Sequence, residues 1–371
     1  MTIESILKRL DTYIFEVGPI RPPSEGGSYS LLLRFTCNCP WNLCSFCYGS
    51  PYGREKFKYR DVIDIKRDID SVKAIVECIK ELSIRLGCGE NLCNEVLDII
   101  VKNVREDVLE NIFLVWNWLK VGAKSVFIQD ADSMIMRSCD LIEAIRYLKE
   151  TFPQINRITT YARAKSILKK SKTELTEIHN AGLVRVHIGL ESGDDLVLKK
   201  VKKGITSKGH ISAGVKAKEV GFEVSEYIMP GLGGKQRTKE HAKNTAYVIN
   251  EIEPDFVRSR PLIPRRGTPL YKEYEKGEFT LLSPHELLKE IELLVKHLEF
   301  KGRLCFDHMR NPCYFALKGY VPLFSMDYEG YKMPKQKQEL ISIINKGLNI
   351  PEHLFLRTED IIEYEKRIYS I

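Results

Sequence analysis

Cys37-Asn38-Cys39-Pro40-Trp41-Asn42-Leu43-Cys44-Ser45-Phe46-Cys47 puts four of the chain's ten cysteines in one short stretch. It follows Leu31-Leu32-Leu33-Arg34-Phe35, an apolar run that reads as a buried strand. Soft thiolates crowded on one loop gather round an iron–sulfur cluster or zinc. Structural zinc usually draws two cysteine pairs from separated segments, and here it would take all four sulfurs. A cubane cluster would take three, Cys39, Cys44 and Cys47, and leave its fourth iron open to a small molecule.

The spacing C-x4-C-x2-C, with Phe46 just before the last cysteine, resembles the cluster loop of radical S-adenosylmethionine (SAM) enzymes. The commonest version of that loop has one residue fewer between the first two cysteines. Cys37 could replace Cys39 as a ligand, with a wider gap to Cys44. The family loop starts at the cysteine preceding Pro40-Trp41-Asn42, which favours Cys39.

Composition suits a cytoplasmic enzyme. The 371 residues suffice for one large or two moderate cores, and 43% hydrophobic with 29% charged residues is ordinary for a globular chain. Met1 to Leu10 holds no apolar stretch long enough for a signal peptide, and no later run approaches a membrane span. Ten cysteines without an export signal predict a reducing compartment. The 57 Lys+Arg against 50 Asp+Glu permit an anionic substrate or RNA without demanding either.

Residues 1–29 read as a lead: an amphipathic pattern at Ile3, Ile6, Leu7 and Leu10, then Pro/Gly/Ser-rich irregular chain. From Arg60 to Leu119, Val62, Ile63, Ile65, Ile69, Val72, Ile75, Val76 and Ile79 recur at helical spacing. Such a segment is too long for one crossover helix and predicts two or three, inserted at about 61–120. A strand–helix rhythm follows, with strands at 125–128, 157–161, 185–190, 223–229 and 256–260. Six such units predict an α/β fold, an open (β/α)6 barrel over residues 30–270, the shape of radical SAM cores. Residues 271–371 read as a helix-rich cap or substrate region.

Polar residues gather at the strands' C-terminal ends, where α/β folds build their sites. Gln129-Asp130-Ala131-Asp132-Ser133 lies where many relatives carry Gly-Gly-Glu and bind the SAM amino group, so it fits by position and departs by letter. The alternative is that Asp130 or Asp132 caps a helix starting near Ile135. His187-Ile188-Gly189-Leu190-Glu191-Ser192-Gly193 with the following DDLVLKKVKKGIT resembles coproporphyrinogen oxidases, methylthiotransferases and the elongator catalytic subunit. That resemblance implies that Glu191, with Ser192 beside it, holds the SAM ribose or methionyl end; a Ser192/Asp194 helix cap is compatible. It also implies that Phe46 packs by the adenine and that the Met229-Pro230-Gly231-Leu232-Gly233-Gly234 loop lines the adenosine. Arg163 is a candidate partner for the SAM carboxylate, with an exposed arginine as the alternative.

Arg258 and Arg260, two apart on a strand, share one side and are candidates for a substrate carboxylate or phosphate. His308, in the polar run Phe306-Asp307-His308-Met309-Arg310-Asn311, is a candidate proton donor or positioning group, against the alternative of a structural histidine. Cys88-x4-Cys93 with Cys78 could carry an auxiliary cluster, or simply be core cysteines.

The resemblance implies a [4Fe–4S] cluster that cleaves SAM reductively, with an electron from a donor such as ferredoxin or flavodoxin. The 5′-deoxyadenosyl radical would abstract hydrogen from a small-molecule or lipid substrate. Without a recognisable basic or β-rich RNA-binding extension, a tRNA-modifying enzyme is the second reading. A non-catalytic iron–sulfur or zinc carrier is the third.

Overall fold

The computed structural model describes residues 2–20, 29–47, 56–89, 91–317 and 319–368. Residues 21–28 of the Pro/Gly/Ser-rich lead lie outside these. The chain divides into two compact units. The first comprises 1–37, 57–161 and 177–184, and the second 38–56, 162–176 and 185–371.

In the first unit, Leu31–Arg34, Ser125–Gln129 and Arg157–Ala162 run parallel, in register from Leu31 opposite Val126 and from Ser125 opposite Arg157. Leu31, Leu32 and Leu33 are all buried, so the first strand is an unbroken apolar run, as a strand covered on both faces should be. Three helices, Val62–Arg85, Asn94–Asn103 and Glu106–Lys120, lie between the first two of these strands in sequence. On the first helix Ile65, Ile69, Val72, Ile75, Val76 and Ile79 are buried, whereas Ile63, two residues before the stripe begins and so on the opposite face, is exposed to solvent. Trp116 and Trp118 are buried, Trp118 edge-on against Phe152. Cys88 and Cys93 are joined by a disulfide just after the long helix. That bond takes two of the three sulfurs on which an auxiliary cluster would rely.

In the second unit, Glu223–Ile228 pairs in parallel with Leu183–Glu191 and with Phe256–Ser259. The sheet does not stop there. Arg303–Cys305 adds in parallel to Phe256–Ser259, and Tyr331–Lys332 pairs antiparallel with Arg303–Cys305. A hairpin, Cys313–Ala316 with Gly319–Pro322, lies between them in sequence. The region after residue 270 is therefore richer in strands than its sequence pattern predicts. Strands of two to four residues are too short to show a period of two. Helices Gly234–Ile252 and Pro284–His297 pack against each other, the latter opened by a Ser283/Glu286 capping box. No helix among the described residues is long and apolar enough to cross a membrane.

Candidate functional site

The cysteine loop is anchored before any metal is considered. Ser45 donates its N–H to the Val201 carbonyl at 2.9 Å and accepts from the Leu270 N–H at 3.0 Å. Trp41 donates its indole N–H to the Lys202 carbonyl at 2.7 Å and lies within cation–π range of Arg163 and Lys165. Gly204 makes room for that ring, since a Cβ there would meet it at 2.6 Å. Asn38 and Asn42, with φ of 66° and 47°, take the left-handed turns of this longer loop, a conformation asparagine tolerates better than most residues. Phe46 and Met229, both half-buried, pack on an apolar cluster that includes Val197, Val201, Leu232, Leu262 and Leu270.

Cys39, Cys44 and Cys47 belong to the second unit and carry thiols. Burial pushes the Cys47 thiol up to about 12, with the neighbouring Cys44 and Cys39 sulfurs adding to the rise and Lys203 opposing it. Burial likewise raises Cys44. Three sulfurs that oppose one another's ionisation are a poor arrangement without a cation and a good one with it, because ligation deprotonates thiols outright. The donor set therefore fits an iron–sulfur centre. Cys37 falls in the first unit, on the short strand Thr36–Cys37, where its thiol donates to Glu16 at 3.5 Å beside Arg34.

Glu191 ends its strand in the left-handed region, with φ of 63°, next to an irregularity in the strand pairing. For a non-glycine residue that conformation costs about 1–2 kcal/mol. Its carbonyl accepts from the Met229 N–H at 2.9 Å, and its carboxylate pairs with Lys203 at 2.9 Å. Gly189 leaves space for the pair, because a Cβ would meet the carboxylate at 2.3 Å and the ammonium at 2.9 Å. Burial disfavours the Lys203 charge, yet Glu191 and the Cys44 sulfur hold its pKa above the ordinary value. Arg163 donates to the Lys203 carbonyl at 3.2 Å. Lys203 is thus the ammonium that joins Glu191 to the cysteine loop, and nothing local distinguishes it among the four lysines at 199, 200, 202 and 203.

A second network holds the loop that follows. Ser192 and the Nδ1 of His241 are 2.7 Å apart, and His241 Nε2 is 3.1 Å from the Met229 carbonyl. A carbonyl only accepts, so the proton sits on Nε2 and Ser192 donates to Nδ1. Glu290 accepts the Gly231 N–H at 2.6 Å and lies 3.7 Å from the same imidazole. Asp194 caps helix Asp195–Lys200 through the Val197 N–H. It is gripped by Arg237 at 2.7 and 3.1 Å and by Asn244 at 3.0 Å. Burial alone would raise the Asp194 carboxyl; the Arg237 and Val197 hydrogen bonds hold it below its ordinary value. Gly193 donates to Thr245 at 2.9 Å. The residues at 237, 241, 244 and 245 form one face of helix Gly234–Ile252, and that face carries the loop.

Gln129, Asp130 and Asp132 fall in the first unit and are buried. Gln129 is engaged with the N-terminal lead, accepting from the Gly18 N–H at 2.8 Å and donating to the Gly18 carbonyl at 3.1 Å. Asp130 pairs with Arg34 at 2.9 Å. Asp132 precedes the 3-10 turn Ser133–Ile135 but makes no side-chain cap, so the capping alternative does not apply to it. Arg258 and Arg260 do share a side, and both pair with Asp307, at 2.7 and 2.8 Å. Burial and the nearby arginines, Arg260 first, push His308 down to about 4.

Parallel strands, three free cysteines on one loop and an ion pair at a strand end make up an α/β site whose donor set suits an iron–sulfur centre. The model of the Radical SAM superfamily matches residues 33–245, more than half of the chain, and the chain belongs to that superfamily. It is a radical SAM enzyme, and the cofactors of the class are a [4Fe–4S] cluster and SAM. The chain is similar to tRNA uridine(34) acetyltransferase of Methanocaldococcus infernus, 30% identical over 122 residues, covering 33% of this chain and 23% of that protein. It is also similar to Elongator complex protein 3 of Drosophila melanogaster, 24% identical over 282 residues, covering 70% and 46%. The chain thus spans less than half the length of these curated relatives. Among solved structures, the archaeal Methanocaldococcus infernus Elp3 with an N-terminal deletion aligns with a TM-score of 0.44 at 20% identity, covering 64% of this chain and 58% of that one. Coproporphyrinogen III oxidase (HemN) from Escherichia coli aligns with 0.45 at 14%, covering 89% and 65%.

Two outcomes follow from this geometry. Cys39→Ala, Cys44→Ala and Cys47→Ala should each lose reconstituted iron and SAM cleavage, while Cys37→Ala keeps most of both; loss in Cys37→Ala with retention in Cys39→Ala would reverse the ligand assignment. Gly193→Ala would drive a Cβ to 2.1 Å from the Asn244 carbonyl oxygen, a backbone atom with little room to yield. It should destabilise the protein by about 1–3 kcal/mol, read as a lower urea midpoint. An unchanged midpoint would mean that the helix face does not hold the loop.

Proposed function

We propose that this protein cleaves SAM reductively at a cluster held by Cys39, Cys44 and Cys47 and abstracts hydrogen from a small-molecule or lipid substrate. What carries the reading is the convergence of the cysteine loop and the Glu191–Lys203 pair in one unit of a radical SAM chain. Held by Cys39, Cys44 and Cys47, a cluster would supply the single electron that reductive cleavage of SAM requires, and with it the means of abstracting hydrogen from substrate. The electron comes from an external donor of the ferredoxin or flavodoxin kind.

The chain's own residues bind and orient. Glu191 accepts hydrogen bonds from ribose hydroxyls, as carboxylates do in dinucleotide sites. Lys203 and Arg163 supply positive charge for the methionyl carboxylate. Phe46 and Met229 give the adenine an apolar wall, with Gly231 letting the backbone of its loop approach. Ser192, through His241, keeps these loops in place.

A second reading, action on tRNA, is favoured by the relatives whose names refer to tRNA uridine(34) and by the exposed Phe315 and Tyr320 rings of the hairpin, 5.7 Å apart, which could stack on bases. The deciding assay is 5′-deoxyadenosine formation from SAM by anaerobically reconstituted protein with a strong reductant. Formation above a Cys44→Ala control is the expected result. No product from protein carrying about four irons per chain, with small molecules and with tRNA alike, would overturn both readings.

A further inference from the structure

The inserted helices of the first unit carry a group of metal-ligating side chains that the radical chemistry leaves unassigned. Cys88 lies in the turn that follows the long helix Val62–Arg85, and Cys93 is the N-cap of helix Asn94–Asn103. Glu95 stands in the first turn of that second helix. The two sulfurs are joined in a disulfide, and a carboxylate oxygen of Glu95 lies within 4.8 Å of both. Cys78, the third sulfur that the sequence groups with them, is buried on the long helix and is not part of this convergence.

The turn has supports other than the S–S bond. The Cys88 N–H donates to the Ser83 carbonyl at 2.9 Å, the Asn91 N–H donates to the Cys88 carbonyl at 3.3 Å, and the Ser83 hydroxyl donates to the Asn91 carbonyl. The Val96 N–H donates to the Cys93 carbonyl at 3.2 Å, and Leu82, Val96 and Ile100 are buried, so both helices stay seated if the bond opens. The cysteines are only five residues apart, and opening so short a ring frees little chain entropy. Both are half-exposed and within reach of a reductant. The electron that cleaves SAM must come from a strong reductant, and conditions that supply it favour the dithiol. A dithiol reductant opens the bond by exchange: it leaves as its own disulfide, and its two hydrogens pass to the sulfurs of Cys88 and Cys93.

We propose that, once reduced, Cys88, Cys93 and Glu95 bind a thiophilic divalent cation, zinc foremost, with water as the fourth ligand. The thiol protons pass to solvent as the sulfurs ligate the metal. Cys93 is prepared for this, because a helix N-terminus favours the thiolate. Two sulfurs and a carboxylate are a donor set that zinc accepts in tetrahedral geometry. An iron–sulfur cluster fits less well, since cysteine thiolates hold clusters and only two converge here. In the disulfide neither sulfur can ligate as a thiolate, so occupancy follows the redox state of the pair.

The test starts from protein carrying its cluster, with and without treatment by a phosphine, which opens the S–S bond and takes oxygen from water. After anaerobic desalting, each sample is equilibrated with zinc sulfate and bound zinc is counted; cobalt(II) in place of zinc reports sulfur ligation by its absorption. Reduced protein is expected to hold about one zinc per chain more than unreduced protein. Cys88→Ser should lose that zinc. Glu95→Gln, which alters an exposed side chain and so tests the site should Cys88→Ser fail to fold, should weaken binding about tenfold or more. Cys139→Ser, which removes an exposed free thiol of the same unit, should leave it unaltered. Equal zinc before and after reduction, or full zinc in Cys88→Ser, would overturn the site. Extra iron and sulfide that Cys88→Ser removes would also overturn it, in favour of a second cluster. Neither SAM nor turnover enters the measurement, so failure here is separable from failure of SAM cleavage.

Discussion

The Lys203–Glu191 ion pair is the interaction on which the rest of the site turns. Each partner is difficult to place alone. Lys203 loses hydration, and Glu191 occupies a backbone conformation that non-glycine residues avoid. Together they compensate, and in doing so they tie three pieces of chain: the end of strand Leu183–Glu191, the turn after helix Asp195–Lys200, and the cysteine loop that Trp41 fastens to that same turn. The ammonium also stands where three ionised thiols would need it. A buried positive charge beside sulfur ligands lowers the cost of their negative charge, so the pair prepares the loop electrostatically as well as mechanically.

Around this pair the structure is built to resist movement. The loop Glu191–Asp194 makes a side-chain or backbone hydrogen bond at each residue, most of them to one helix. Buried polar networks stabilise only when every member is satisfied, and the chain Asp194 N–H to Ser192, Ser192 to His241, His241 to the Met229 carbonyl meets that condition in one consistent direction of donation. Glu290 extends it to Gly231 from a second helix. Two strand-end loops that would otherwise move independently are thereby held to the same pair of helices. Ser, His and Glu at these distances resemble a hydrolytic triad only in composition. The serine is fully buried and donates to Nδ1, so it positions a loop and has no access to a substrate.

Much of this was legible from the chain itself, for physical reasons that differ by element. The cysteine loop was readable because its chemistry is local: sulfur spacing within eleven residues leaves few alternatives. The long helix was readable because its buried stripe repeats over many turns, and the strand ends because glycine and polar residues punctuate apolar runs. Lys203, His241, Glu290 and Asp307 were not. Each acquires its role from a partner 12 to 59 residues away, and a lysine in a lysine run or a glutamate on an amphipathic helix carries no local mark of such a partner. Arg303–Cys305 was missed for the opposite reason, being too short to have a pattern. Gln129 likewise has a role that no local pattern marks, since its side chain holds the N-terminal lead 111 residues away.

The two arginines show how a correct local inference can leave the chemistry open. Alternation along a strand puts Arg258 and Arg260 on one side whatever they bind. Two guanidiniums so placed repel unless an anion lies between them, and the anion could have been a ligand alone. The chain supplies Asp307 from the loop after the next strand. A buried ion pair of this kind seldom adds much stability over an apolar replacement of the same shape, because desolvation offsets most of the attraction. What the pair does supply is geometry: one carboxylate, bridging both guanidiniums, fixes their planes relative to each other.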